Sequence, residues 1–268
     1  MQRPDHLPDF DNPPLNEVVL GVQFTPMPSF NSTHMGDVWN LYRREFPIVQ
    51  EYPPLQPTFE TFGGQNLQAH SFQLHLGGGP IGSRVWFVSE EKNRLLQFQP
   101  DRFLTNWRKN SDGQHYPRFE NIADAYQSDL RALAAHFKKF FDRDIEINQV
   151  ELTYINIIQV KDFSQAGNLF SLWNNILTNI EGMSVNFSEV IEDRSGKPFA
   201  RFSHSIQSLY SSDGAQKAFN FSLMFRGKPA TTDIDAALEF LRQARDAIVM
   251  RFDEITTDHA HKIWGKRE

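Results

Sequence analysis

Glu189 and His204 are the two side chains whose types and spacing best suit acid–base chemistry. They fall in two predicted strands joined at Arg194-Ser195-Gly196-Lys197, where Ser-Gly suits a tight hairpin turn. If Arg194 faces Lys197 across a two-residue turn, Glu189 and His204 become diagonal neighbours on one apolar face. A carboxylate and an imidazole placed there would have the shifted pKa values that a general acid–base pair needs. The pair equally suits a structural hydrogen bond, because the sequence places no nucleophile or oxyanion-stabilising donor beside it.

A second group combines aromatic and basic side chains around residues 107–109. An aromatic ring can stack on a base while cations neutralise phosphates, so this composition is typical of contacts with a nucleic-acid strand. Acidic residues at positions 101 and 112 dilute the positive charge, and a solvated strand edge would have the same composition. The candidate binding residues of this group are Arg102, Trp107, Arg108, Lys109 and Arg118.

His259 and His261 are the candidate metal ligands of the sequence. In a helix, residues two apart point to different sides, whereas two metal ligands on one helix are usually three or four residues apart. The chain contains no cysteine, which excludes disulfides, thiolate nucleophiles and cysteine-ligated metal sites. The sequence therefore predicts surface or capping histidines, with no metal and no cofactor.

The charge of the chain disfavours generic binding to nucleic acids. The formal net charge is -6, and residues 1–146 hold 14 of the 27 basic and 18 of the 33 acidic side chains. Neither half therefore has the basic excess that neutralises phosphates. We expect the partner to be another protein, and the sequence leaves the oligomeric state open.

The N-terminal residues and the apolar segments predict a soluble cytoplasmic protein. Met1-Gln2-Arg3-Pro4-Asp5 leads into further Asp and Pro residues, unlike the apolar core of a secretory signal. No stretch approaches the roughly 20 apolar residues that span a bilayer, so no membrane association is expected.

Hydrophobic periodicity in the first half predicts a strand, a helix, a group of short strands and a long helix. Ser32 or Thr33 is expected to cap the first helix. Residues 47–67 are rich in Pro, Gly and Gln, and they are predicted to form a long loop and thus a candidate binding element. Further strands are predicted near 68–76, 83–89, 94–99 and 102–107, before a helix with the apolar stripe Ile122, Tyr126, Leu130, Leu133 and Phe137.

The second half repeats this order, with a strand, a helix, three strands and a long helix. The long helix is predicted to begin at Thr232, and a short helix from Thr257 to Trp264 ends at Gly265. The first helix of this half is predicted from the spacing of Leu169, Leu172, Ile176 and Ile180.

This repeated order predicts an α+β fold of tandem pseudo-duplicated β-α-β(3–4)-α units, with antiparallel sheets and helices packed on one face. The units would span residues 1–146 and 147–268, together forming one compact body about a pseudo-two-fold axis. A duplication of this kind places function on the shared sheet surface or at the seam. The topology is similar to helix-grip and TATA-box-binding-like units, which serve several functions.

Three short segments together resemble an uncharacterised bacterial protein family of about this length that is sporadically distributed among genomes. The resemblance supplies no activity and no catalytic residues. Its scattered occurrence is similar to that of mobile accessory genes, including anti-phage defence and toxin–antitoxin cassettes, which implies an interaction role. The segments are Asn12-Pro13-Pro14-Leu15-Asn16-Glu17-Val18-Val19, Glu151-Leu152-Thr153-Tyr154-Ile155-Asn156 and Thr256-Thr257-Asp258-His259-Ala260-His261-Lys262-Ile263-Trp264-Gly265.

The function expected from the sequence is non-catalytic binding of another macromolecule, above all a protein, as an antitoxin, immunity or defence-accessory component. The first alternative is a small-molecule binding protein or hydrolase with a cavity near Glu189 and His204. The second is a nucleic-acid clamp, which needs a continuous basic surface across the sheet.

Overall fold

Alternating apolar segments form nine strands in the described part of the chain, and all nine join one antiparallel sheet. The computed structural model describes residues 3–63, 84–111, 114–173, 179–211 and 213–267, and every structural statement below concerns these residues. In chain order the strands are β1 (Leu15–Phe24), β2 (Ile48–Tyr52), β3 (Arg84–Val88), β4 (Arg94–Gln99), β5 (Arg102–Arg108), β6 (Ile147–Val160), β7 (Ser184–Glu192), β8 (Pro198–Tyr210) and β9 (Lys217–Gly227).

The strand order across the sheet is β2-β3-β4-β5-β1-β6-β9-β8-β7. β1 and β6 are antiparallel neighbours, with Leu20 opposite Leu152. On its other side each of them pairs with the last strand of its own half, β1 with β5 and β6 with β9. The predicted α+β class with antiparallel pairing is therefore confirmed, and strands from both halves share one sheet.

Two long helices cover one face of this sheet and place their apolar stripes on it. In the first, Phe137 packs edge-on against Phe24 of β1, with ring centroids 6.1 Å apart. In the second, Phe252 stacks on Phe221 of β9 at 6.0 Å. Within the described residues no helix is both long and apolar enough to cross a membrane. The α-helices are α1 (Met35–Tyr42), α2 (Phe119–Phe141), α3 (Ala166–Leu169), α4 (Ile234–Ile255) and α5 (Asp258–Trp264), the two long ones being α2 and α4.

The two-residue period of each strand divides the side chains between two faces of the sheet. On β1, Val18, Leu20, Val22 and Phe24 are at most 1% exposed beneath the helices. We call this side the helix face. The opposite side, which carries the alternate residues of each strand, we call the open face.

The long loop predicted over residues 47–67 is only partly confirmed. Ile48–Tyr52 forms strand β2, which pairs with β3, so the loop prediction is wrong for these five residues. Residues 53–63 have no regular secondary structure, as predicted. Positions 64–67 and the strand predicted near 68–76 lie outside the described residues.

The helix predicted from Leu169 onward ends early. α3 stops at Leu169, and Phe170 is extended and forms a β-bridge with Thr256 at the end of α4. Leu172 is exposed, so the prediction that it belongs to an apolar helical stripe is wrong. Tertiary pairing with the end of α4 therefore replaces the local helical preference, while Ile176 lies outside the described residues.

The predicted helix caps are displaced by one residue. Asn31 accepts the capping hydrogen bond from Thr33 N at the first helical turn, in place of Ser32 or Thr33. Asp233 accepts from Ala236 N at the start of α4. Both are side chains of the same short polar type as those predicted, and they occupy the extended backbone conformation that a cap requires.

The β7–β8 hairpin has the predicted register but a different turn. Gly196, at φ 80°, donates from its amide to Asp193 O, and the Asp193 carboxylate accepts from Ser195 N and Lys197 N. Because the loop is longer than the predicted two-residue turn, the register shifts at Ile191 and Glu192. Beyond that irregularity the strands pair as expected, with His204 opposite Phe187.

Candidate functional site

The open face is crossed by residues 53–63, which we call the strap. Gln99 of β4 holds its first part: Gln99 Nε2 donates to Leu55 O at 2.9 Å, and Leu55 N donates to Gln99 Oε1 at 3.0 Å. Thr58 N donates to Gln23 Oε1 on β1 at 3.0 Å. Arg102 donates to Gln56 O at 3.2 Å. Side chains of the sheet thus bind the backbone of an extended segment that lies across the strands.

Glu60 fixes the far end of the strap on the second half of the sheet. Arg201 Nε of β8 donates to Glu60 Oε2 at 2.6 Å, and Arg226 Nε of β9 donates to Glu60 Oε1 at 2.8 Å. The Glu60 side chain is only 6% exposed between these two guanidinium groups. Arg201 also donates to Thr61 O and lies over the Phe62 ring. The first part of the strap is therefore held mainly by glutamine amides, and its far end is held by the ion pairs of Glu60.

A polar network lies on the open face of the first half. Arg84 Nη1 donates to Gln97 Oε1 at 3.1 Å, and Gln97 Nε2 donates to Asn106 Oδ1 at 2.7 Å. Asn106 and Arg108 both donate to Glu17 Oε1, at 2.5 and 2.8 Å. Four strands, β3, β4, β5 and β1, are linked by this chain of side chains, which fixes their rotamers.

Trp86 lies at the edge of this network with an aromatic ring and two cations around it. Its ring centroid is 4.1 Å from that of Tyr52, and the guanidinium carbons of Arg84 and Arg108 lie 5.4 and 4.9 Å from it. The indole Nε1 is buried without a hydrogen-bond partner among the described residues. Cation–π contacts of this kind are worth about 0.5–1 kcal/mol each at exposed sites.

From β6 to β7 the open face carries hydroxyl and amide side chains. These positions are partly or fully exposed, and Ile155 and Met224 lie between them on the same face, next to the ionisable Glu151, Arg201 and Arg226. Asn220 Oδ1 is buried with no hydrogen-bond partner in the described part of the chain. This region could pair with the polar groups of another molecule. Its residues are Thr153, Asn186, Ser188, Ser203, Ser205, Gln207, Asn220 and Ser222.

The predicted binding residues on β5 divide between the two faces. Arg102 and Arg108 lie on the open face, Arg102 buried beneath the strap and Arg108 bonded to Glu17. Trp107 alternates to the helix face, where it is 3% exposed and packs against Tyr116. Trp107 therefore has no free ring surface on which a base could stack.

Lys109 and Arg118 lie away from that face. Lys109 follows the end of β5, and its amide donates to Asn16 O. Arg118 precedes α2 on the helix side of the sheet and donates to Asp9 Oδ1 at 2.5 Å. The five residues predicted as a binding group are thus not brought together into one surface, because strand alternation and the turn into α2 separate them.

Glu189 and His204 lie on the helix face of the hairpin, and Arg251 of α4 links them. Arg251 binds both carboxylate oxygens of Glu189, with Nη2 at 3.0 Å from Oε2, and its Nη1 lies 3.2 Å from His204 Nε2. A guanidinium only donates, so His204 Nε2 accepts and the imidazole is neutral with its proton on Nδ1. Phe187 stacks on the imidazole at 4.4 Å. The ring nitrogen that a general base would use is thus occupied.

Burial differs between these two residues. His204 is 1% exposed, and burial and the adjacent Arg251 lower its pKa to about 4. Glu189 is 40% exposed, and its hydrogen bonds with Arg251 lower its carboxyl pKa. Both groups are held in one charge state at neutral pH, His204 neutral and Glu189 ionised, which favours a structural ion pair over proton transfer.

This arrangement predicts an acid-sensitive component of stability. The pKa of His204 is about 4 in the fold and 6.5 ordinarily, so the unfolded chain binds the proton first as the pH falls. Above pH 6.5 the imidazole is largely neutral in both states, so its titration has little effect there, and protonation of the unfolded chain lowers the free energy of unfolding as the pH drops toward 4. Between pH 7 and 5, His204→Gln should reduce the loss measured in urea unfolding by about 2 kcal/mol. His136 and His261, whose pKa values burial also lowers, keep their own contribution. The exposed His259→Gln control should keep the loss, and an unchanged pH dependence in His204→Gln would contradict the assignment.

His259 and His261 lie on different sides of α5, as their spacing predicted. His259 is exposed, whereas His261 is buried and its Nε2 lies 2.8 Å from Thr256 Oγ1. Burial lowers the pKa of His261. Within the described ranges, no group of three or more His, Cys, Asp or Glu side chains is arranged to hold a metal ion.

The strap contacts were not found by sequence analysis. Alternation alone places Gln97 and Gln99 on one face, which is a usable signal for a polar surface. Glu60, however, meets Arg201 and Arg226 across sequence separations of 141 and 166 residues, far beyond any local pattern.

Compared with known proteins, the sequence matches no protein-family model and no curated protein.

Proposed function

We propose that this chain is a non-catalytic binding protein whose open face recognises an extended segment of a partner protein. The contacts of the strap support this function. Gln99 pairs with both backbone groups of Leu55, and Gln23 and Arg102 bind the backbone of Thr58 and Gln56. The open face thus binds extended polypeptide within its own chain. Beside the strap, the hydroxyl and amide side chains from β6 to β7 offer the same chemistry to a second segment.

The charges of this face favour a protein over a nucleic acid. Arg108 pairs with Glu17, and Arg201 and Arg226 share Glu60. Phosphate binding requires cations whose charge is not already neutralised within the protein. The carboxylates interrupt the continuous basic surface that a nucleic-acid clamp would need, so the clamp has less support.

A small-molecule site or hydrolase at Glu189 and His204 also has less support. Arg251 binds both side chains, and Glu189 is 40% exposed. An acid–base role would require a buried carboxylate and imidazole whose lone pairs are free to accept a proton. Here Arg251 occupies both acceptors.

We propose tandem duplication as the origin of this surface, with units at 1–146 and 147–268. The strand order supports it, because β1 and β6 are neighbours and β5, β4 and β3 are matched in order by β9, β8 and β7. α2 and α4 follow the last strand of each half. Failure of β1–α2 to superpose on β6–α4 would contradict this origin. A role as an antitoxin, immunity or defence-accessory protein is a further proposal, which rests on the family resemblance.

Site-specific photo-crosslinking tests the proposed interface. A benzophenone amino acid replaces Ser205 on the open face or, as a control, the exposed Ser128 on α2. In cells of the natural source, we expect one protein to crosslink at position 205 and not at 128. Adding Ser203→Arg on the neighbouring position should lower the crosslink yield at least about ten-fold, because it places an unpaired cation in the interface.

Three results would contradict the proposed interface. Identical crosslinks from positions 205 and 128 would mean that the open face has no specific role. A crosslinked species degraded by nuclease would assign the face to nucleic acid. A chain that crosslinks to nothing and always elutes alone would argue against a partner altogether.

A further inference from the structure

The helix side of the sheet contains a cavity of about 80 Å³ between α2 and α4, which the N-terminal residues also line. We propose that this cavity is a binding site for a small organic monocarboxylate with an apolar body. This site lies on the opposite face from the proposed partner surface and does not depend on it.

The walls of the cavity are mostly apolar. They come from the N-terminal residues, β1, β6, β9, α2 and α4, so both halves of the chain contribute. An apolar cavity with a few convergent polar groups is the usual form of a small-molecule site. The apolar lining side chains include Phe10, Leu15, Phe119, Leu223, Ile248 and Val249.

Arg245 is the buried cation of the cavity. Its side chain is 5% exposed, and its Nη1 donates to Glu120 Oε1 at 2.8 Å. The guanidinium carbon lies over the Phe119 ring at 5.1 Å. Its Nε is ion-paired with Asp246 Oδ1 at 2.8 Å, and its Nη2 makes no hydrogen bond within the described residues. A buried guanidinium with unused donor capacity is suited to a carboxylate ligand.

Tyr116 and Tyr154 supply neutral hydroxyl groups beside Arg245. Their hydroxyl oxygens are 3.0 Å apart, so one hydroxyl donates to the other and the second hydrogen is left for another acceptor. Burial raises the pKa of both phenols, which keeps them protonated at any physiological pH. One of the two can therefore donate to a carboxylate, and neither carries a negative charge that would repel it.

Arg3 and Arg118 also line the cavity, and their side chains are partly exposed. Asp9 accepts from Arg118 at 2.5 Å and from Arg267 at 3.1 Å, which ties the N-terminal residues to the start of α2 and to the C-terminal residues. Its neighbouring arginines overcome the effect of burial and lower the Asp9 pKa, so this clamp stays charged at neutral pH.

The charge and the size of the cavity restrict the ligand. Its lining holds the three guanidinium groups of Arg3, Arg118 and Arg245 and the two carboxylates of Asp9 and Glu120, while Asp246 contacts Arg245 from outside the lining. The lining therefore offers more donors than acceptors, and this donor excess, not a net positive charge, favours an anion. Its volume of about 80 Å³ is roughly five to eight times the ~10–15 Å³ that one water molecule needs. A ligand of about that many heavy atoms, such as a monocarboxylate of four to six carbons, would fit.

Isothermal titration of the full chain with butanoate and hexanoate, and with butanamide as a neutral analogue, tests this proposal. We expect saturable binding of the carboxylates and not of the amide. Tyr154→Phe should weaken carboxylate binding about ten-fold, as expected for one lost hydrogen bond to a charged group. Glu120→Gln should instead tighten it, because Arg245 loses an internal competitor. A residue with a purely structural role would not produce these opposite changes.

Two adjacent positions on α4 provide a matched control. Val249→Phe fills the cavity and should abolish carboxylate binding, whereas the exposed Met250→Phe should leave it unchanged. Circular dichroism checks that each variant is folded, and Tyr154→Phe carries the test if Val249→Phe is not. Equal binding of butanamide and butanoate, no saturable heat with either carboxylate, or no difference between Glu120→Gln and the parent chain would overturn the proposal.

Discussion

Replacing Gly227 by alanine will destabilise the fold by about 3–5 kcal/mol, or prevent folding, because a backbone atom occupies the site of the new methyl group. A Cβ at Gly227 would lie 2.2 Å from Phe199 O and 2.7 Å from Ala200 Cα. Relief requires β8 and β9 to separate, next to the Arg201 and Arg226 that hold Glu60. Urea unfolding of the variant and the parent chain measures the loss.

Gly36→Ala is the matched control for that substitution. No atom lies within 4 Å of a Cβ at Gly36, and the residue is in α1. Since alanine is favoured over glycine in a helix by up to about 1 kcal/mol, this variant should be slightly more stable than the parent chain. A loss of stability in Gly227→Ala no larger than the change in Gly36→Ala would contradict the close approach of β8 and β9.

Asp129→Asn is expected to stabilise the protein at pH 8 by up to about 4 kcal/mol and to have little effect near pH 4. Burial raises the pKa of Asp129 to about 7, opposed by Arg94 and reinforced by Glu45. Its Oδ2 is buried without a hydrogen-bond partner in the described residues. The folded state therefore holds the Asp129 proton that the unfolded chain releases at its ordinary pKa of 3.8.

The sign of this effect follows from the raised pKa. Between pH 4 and 7 the unfolded state ionises at Asp129 before the folded state does, so the free energy of unfolding falls as the pH rises, and it levels above pH 7. Asparagine carries no charge, and it removes this decline. Urea unfolding at pH 4 and 8 measures it, with the exposed Asp37→Asn on α1 as control. A gain at pH 8 that is equal in both variants, or absent in Asp129→Asn, would show that Asp129 is not a buried, destabilising carboxylate.

Elements with strong periodicity could be predicted from the sequence. The stripe from Ile122 to Phe137 is buried on α2, and the alternation of β1 places Val18 to Phe24 in the core. The hairpin register that sets Phe187 opposite His204 was also predicted. These predictions succeed because one side of each element is apolar. A shift of one residue in the strand register would turn that apolar side toward water.

Elements whose conformation depends on distant contacts could not be predicted. β2 was predicted as loop because only pairing with β3 makes Ile48–Tyr52 a strand. α3 stops at Leu169 because Phe170 pairs with Thr256. The sequence around each of these segments favours one local conformation, whereas pairing with a segment that is distant in the sequence decides which secondary structure forms.

The candidate sites show the same division. Sequence spacing placed Glu189 and His204 on one face, but Arg251, from a helix far along the chain, decides that they form an ion pair with a neutral imidazole. The grouping of Trp107 with Arg108 followed chain proximity, while the strand sends the two side chains to opposite faces.

By itself, the sequence determined the α+β class, the apolar face of each long element and the register of the hairpin. Local side-chain periodicity specifies these features wherever one face must leave water. Only the tertiary structure decided that the strap crosses the open face and that Arg245, Glu120, Tyr116 and Tyr154 meet in one cavity. These contacts join residues between 38 and 125 positions apart, and no local pattern encodes which of them will become neighbours.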